Sequence, residues 1–170
     1  GIAGRAFVLP PRAWGFILTL YVLGPGFMVD MMTKPLWGRA RPAQIAEFGG
    51  SLPFSPPNEL VSVCARNCSF VSGEVSGATA TAVALMLLRF HLKHRVHNGV
   101  SSLLLAAAWG LPPVVALQRV AAGRHFLSDT VFAVLFTLLL ALALAVLLRP
   151  LPHQIPWARR KLAAVPTDRW

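Results

Sequence analysis

The run from Phe126 to Leu148 reads FLSDTVFAVLFTLLLALALAVLL, and no charged residue follows Asp129 in it until Arg149. At about 1.5 Å per residue such a run spans roughly 35 Å as a helix, enough for a hydrocarbon core of about 30 Å. Its Leu/Ala-rich second half therefore reads as a membrane span. Three further apolar runs lie upstream, at about 14–32, 70–92 and 100–117. Gly24-Pro25-Gly26 interrupts the first and Pro112-Pro113 the third; such breaks are tolerated in membrane helices when neighbouring helices satisfy the freed carbonyls. The expectation is an all-α, integral-membrane helical bundle with four spans, forming a single domain over 1–170.

Composition agrees. The chain has 170 residues, of which 55% are hydrophobic and 13% charged, and its mean hydropathy is +0.60; an ordinary soluble domain is excluded. The net charge of +10 does not indicate a nucleic-acid partner, because the basic residues cluster in the connections between apolar runs instead of forming a stripe with interleaved aromatics. Ten of them (Arg5, Arg12, Arg89, Lys93, Arg95, Arg149, Arg159, Arg160, Lys161, Arg169) fall on one side of the predicted topology. Six (Lys34, Arg39, Arg41, Arg66, Arg119, Arg124) fall on the other. The positive-inside rule then puts both termini in the cytoplasm of an inner or plasma membrane, with the second group facing the periplasm or exterior. Gly1 to Arg12 lacks the apolar core and cleavage site of a signal peptide.

Residues 43–69 should form an outer loop, since Gly49-Gly50, Pro53 and Pro56-Pro57 punctuate it. A short helix is expected near Leu60 to Ala65, and Phe48 and Phe54 are placed in the headgroup zone. Cys64 and Cys68 could be paired or free: an oxidising compartment permits a disulfide, but four residues along a continuous helix is near the limit of bridging distance. Gly73 and Gly77 form a small-xxx-small pair that would let another helix approach. The tail over 150–170 should be cytoplasmic, with Trp157 and Arg159-Arg160-Lys161 as an interfacial anchor.

Chemistry-bearing residues gather where the spans meet the outer side. His125 and Asp129, four apart at the start of the last span, should share a helical face. The Asp would accept from one imidazole nitrogen and leave the other as nucleophile or base. An interfacial His beside a helix N-terminal acid is the plainer reading of the same pair. Lys34, Arg41 and Arg119 are cations that suit phosphate oxygens, bidentately for the guanidinium groups, or that simply snorkel to headgroups. Snorkelling is the expectation for Arg39 and Arg124, and a loop-surface position for Arg66. Ser72-Gly73 opens the second span, where a hydroxyl and free amides form an anion site or merely an N-cap. His91, His94 and His97 do not share a tight face, no group has convincing metal-ligand spacing, and no cofactor is expected.

Taken together, Lys34-x6-Arg41-Pro42, Ser72-Gly73-Glu74 and Arg119-x5-His125-x3-Asp129 resemble the type 2 phosphatidic acid phosphatase family of integral-membrane lipid phosphatases, whose motifs are K-x6-R-P, P-S-G-H and S-R-x5-H-x3-D. The departures are Val71 for Pro, Glu74 for His and Gln118 for Ser. The resemblance implies hydrolysis of a lipid phosphate monoester or pyrophosphate through a phosphohistidine on His125, oriented by Asp129. Lys34, Arg41, Ser72, Gly73 and Arg119 would hold the phosphate, and Glu74 would stand where the family's His protonates the leaving alkoxide. It also implies six spans, of which these look like the last four, and membrane lipids as partners. Glu74, Gln118 and the short chain motivate an alternative: a catalytically altered subunit with a structural or lipid-binding role, associated with other membrane subunits.

Overall fold

The computed structural model describes residues 9–150; the expected tail anchor lies outside them. The architecture is all-helical: α1 (Pro11–Tyr21), a π-helical segment (Val22–Thr33), a short α2 (Lys34–Trp37), then α3 (Gly73–Leu92), α4 (Asn98–Ala121) and α5 (Leu127–Leu148). Among the described residues, four helical stretches are long and apolar enough to cross a membrane: Pro11–Gln44, Gly73–Leu92, Asn98–Ala121 and Leu127–Leu148.

The first stretch is not broken at Pro25. Proline has no N–H, and its ring would collide with the carbonyl four residues back in an α-helix; the wider π turn over Val22–Thr33 absorbs both problems. Pro112 and Pro113 are likewise carried inside α4, where the carbonyls of Ala108 and Trp109 go without helical donors.

Helix α3 is the hub, packing on α1, the π segment, α4 and α5. Its small residues make this possible: Ala80 meets Leu20, Phe16, Ala141 and Leu144 in one core. Nearer the loops, Val75, Val29, Val71, Phe70 and Ala133 form a second. Ser76 Oγ and Thr137 Oγ1 are hydrogen-bonded across α3 and α5 at 2.8 Å, so this polar seam is satisfied. The close helix approach occurs at Gly24, whose backbone lies over Ser76 and Leu140, and not at Gly77, which has no neighbour within contact range. Large apolar side chains such as Leu103, Trp109, Val114, Leu117, Leu139 and Leu142 remain on the outside, as expected of a lipid-facing surface.

The long connection departs from expectation. No helix forms over residues 60–65; instead 3-10 turns occupy Pro42–Gln44 and Ala46–Phe48. The chain then doubles back along the first motif, Val61 N donating to Trp37 O, Cys64 N to Gly38 O and Ser69 N to Arg39 O. Backbone pairing with residues 37–39 outcompetes a local helix. Cys64 and Cys68 are disulfide-bonded with a Cα–Cα distance of 5.6 Å, which the non-helical path permits. Phe54 packs edge-on against Phe126, while Phe48 is exposed.

Candidate active site

The end of the first helical stretch, the start of α3, the end of α4 and the start of α5 share one end of the bundle, because successive helices alternate in direction. Lys34, at the start of α2, has its ammonium next to the Gly73 backbone and pairs with Asp30 at 2.6 Å. The absence of a side chain at Gly73 leaves room for that approach. Gly38 ends α2 with φ +51°, and a Cβ there would lie 2.0 Å from the Val61 carbonyl oxygen. Gly38→Ala is therefore expected to cost about 1–3 kcal/mol for the left-handed backbone alone, with the overlap adding to it, read as a lowered thermal midpoint in detergent.

Ser72 caps α3, its hydroxyl accepting from Val75 N, and is fully buried. Two residues on, the Glu74 carboxylate is shared. One oxygen accepts from Arg119 at 3.2 Å; the other lies 3.3 Å from His125 Nε2. Arg119 comes from the last turn of α4, where a cation complements the helix dipole, and its Nε is buried with no hydrogen-bond partner among the described residues. Arg41 bonds Asn67 through both the backbone oxygen (2.9 Å) and Oδ1 (2.7 Å), and lies within electrostatic reach of Glu74, Arg119 and Arg124. The disulfide between Cys64 and Cys68 closes the turn that presents Asn67. Arg124 and Arg66 are exposed.

His125 precedes α5 instead of lying within it, and its ring is buried. Nδ1 donates to the Ser69 carbonyl at 2.7 Å; a carbonyl can only accept, which leaves Nε2 facing Glu74. The expected direct His125–Asp129 bond is not made: Asp129 Oδ2 is 3.8 Å from Nδ1. Because His125 sits outside the helix, the i,i+4 alignment does not apply. That oxygen instead accepts from Ser69 Oγ (2.5 Å) and Phe126 N (2.9 Å). Burial pulls the imidazole pKa down, but the nearby Asp129 and Glu74 carboxylates outweigh it, holding the group above its ordinary 6.5.

Arg39 does not snorkel. It is 2% exposed and pairs with Asp129 Oδ1 at 2.5 Å, donates to Ser128 Oγ and to the Ser55 carbonyl, and lies 4.1 Å from the Phe126 ring centroid. The snorkelling expected of Arg39 from sequence is overturned by its burial and its pairing with Asp129, and the Ser69 carbonyl is not singled out there. For Arg39 the available signal was its place inside the first motif; for a backbone carbonyl there is none.

The fold is that of a helical membrane protein, and the chain belongs to the PAP2 superfamily, whose model matches residues 14–151. Among its relatives, a lipid A 4'-phosphatase of Rhizobium leguminosarum is 36% identical over 133 residues, covering 78% of this chain and 54% of the relative. A lipid A 4'-phosphatase of Francisella tularensis subsp. novicida (strain U112) is 35% identical over 125 residues, covering 74% and 53%. The chain thus spans about half the length of these curated relatives. No solved structure matches it significantly.

Proposed function

We propose that this chain carries the active centre of a membrane phosphatase that hydrolyses a lipid phosphate monoester or pyrophosphate through a phosphohistidine on His125. One observation supports this above all: Glu74 places an anionic group between the His125 imidazole and the Arg119 guanidinium, where a phosphate would sit. Lys34, Arg41, Arg119, Ser72 and the Gly73 amide would surround its oxygens and stabilise charge developing at phosphorus.

The resting pair holds one proton, on His125. An entering phosphate displaces the half-exposed Glu74 carboxylate, which takes the Nε2 proton with it and frees the nitrogen to attack. The N–P bond forms as the ester P–O bond breaks, and Glu74 delivers its proton to the departing oxygen. Water then attacks the phosphohistidine, Glu74 accepts its proton, and inorganic phosphate leaves. Asp129 supports the cationic ring by its charge. The distribution of basic residues supports a site on the periplasmic or outer face, with the termini cytoplasmic.

A lipid substrate is supported by a groove of about 570 Å³ between α3, α4 and α5. It runs from Ala116 and Leu127, one turn or less from Arg119 and His125, down past Val83 and Trp109 to Leu138. Acyl chains there would position the headgroup, so that chain binding energy serves the reaction. Val83→Trp is expected to displace about four methylenes, worth ~3 kcal/mol or roughly 100-fold in kcat/KM on long-chain substrates. A short-chain phosphate ester should be unaffected.

The first test is release of inorganic phosphate by the purified chain from a lipid A-type glycolipid, phosphatidate and a prenyl pyrophosphate. No release from any of them overturns the proposal. It would favour a second reading, a lipid-holding subunit without turnover, for which the already occupied anion position at Glu74 is the supporting observation.

A further inference from the structure

We propose that Arg39 and Ser69 are positioning residues that, tied together by Asp129, hold the His125 imidazole by the Ser69 carbonyl, an inference that rests on the reading of His125 as nucleophile. The contacts form a closed ring. The Arg39 side chain binds Asp129 Oδ1, Asp129 Oδ2 accepts from Ser69 Oγ, and Ser69 N donates to the Arg39 carbonyl at 2.8 Å. The imidazole hangs from this ring by one bond, Nδ1 to the Ser69 carbonyl. That bond sets both the ring's rotation and its tautomer.

Arg39 also grips the turn that carries the nucleophile. Its guanidinium lies against Phe126, which follows His125, and bonds Ser128 and Asp129 in the first turn of α5. With the Ser55 carbonyl also bound, the outer loop and the start of α5 are tied to one buried cation of the first motif. Asp129 has no exposed surface, and an unpaired carboxylate there would be costly. Arg39 supplies that partner. The charges facing His125 are Glu74 from α3, Arg119 from α4 acting through Glu74, and Asp129 from α5 with Arg39 behind it.

A purely structural ion pair would change the amount of folded protein but not the ionisation of His125. Removing a positioning cation changes both geometry and charge. Arg39→Gln, assayed as the purified full chain in proteoliposomes, is expected to lower kcat by about 100-fold, the scale of an ångström-sized misplacement, with KM little changed. The alkaline limb of its rate profile should move to higher pH, because the unneutralised Asp129 carboxylate holds the imidazole proton harder. Arg39→Lys should recover much of kcat and return the limb. Should Arg39→Gln fail to fold, Ser69→Ala carries the test: it keeps the ion pair and the carbonyl, and should lower kcat by about tenfold with a raised nitrogen-15 titration midpoint for His125.

Folded Arg39→Gln or Ser69→Ala with unchanged kcat and an unmoved limb or midpoint overturns the inference. His125→Ala run in parallel separates the two layers. If it is inactive while Arg39→Gln behaves as the parent, only the positioning role fails; if it retains activity, the nucleophile reading itself fails.

Discussion

Substitution of His125 by alanine is expected to reduce phosphate release by roughly 10⁶-fold, to background, as loss of a nucleophile does when its partners cannot replace it. The imidazole turns Nε2 toward the Glu74 carboxylate, which also binds Arg119, and on the proposed mechanism that nitrogen is the nucleophile. The remaining cations can still bind phosphate, so affinity for substrate should persist while turnover vanishes. Rapid acid-free quenching of the parent with labelled substrate should trap label on the protein in a bond stable to alkali and labile to acid, as expected of a phosphoramidate. The alanine variant should trap none. Equal labelling of the two would place the covalent step elsewhere.

Glu74→Gln should have a smaller effect, but a more diagnostic one. On the proposed mechanism, the His125–Glu74 pair carries one proton between nucleophile and leaving group, so kcat/KM should fall with rising pH as that proton is lost at the raised imidazole pKa. Glutamine cannot ferry it. The rate should drop by about 100-fold, within the range for loss of a general acid. The remaining activity then needs only a neutral imidazole, which has also lost one of the charges that raised its pKa. The profile should therefore invert, rising instead of falling with pH, with its midpoint lower than the parent's. Titration of the substrate's own phosphate near pH 6 is common to both proteins and cancels in their ratio. An unchanged rate and profile would remove Glu74 from proton transfer and favour the lipid-holding alternative.

The membrane architecture was legible because it depends on local composition. A run such as Phe126–Leu148 has few options, since each apolar side chain favours lipid whatever its neighbours are. The family motifs were equally legible: spaced cations, a Ser-Gly turn and a His with an Asp are local patterns. The prolines were legible as tolerated interruptions of a span, but not the π turn that carries Pro25 without ending the helix. Expectations about the loop failed for a different reason. Residues 60–65 form no helix because Val61 and Cys64 pair with Trp37 and Gly38, and pairing across more than twenty residues leaves no trace in a local window.

What the sequence alone determined is therefore the class of protein and the residue types gathered at one end of its bundle, since hydropathy and spacing act over a few turns. Only the tertiary structure decided who meets whom. Arg39 is paired to a carboxylate 90 positions away, the imidazole is fastened to Ser69 instead of Asp129, and Glu74 bridges the imidazole and a guanidinium from two other segments. Charges are placed by the folding of distant segments against one another, and burial then makes each such meeting energetically decisive.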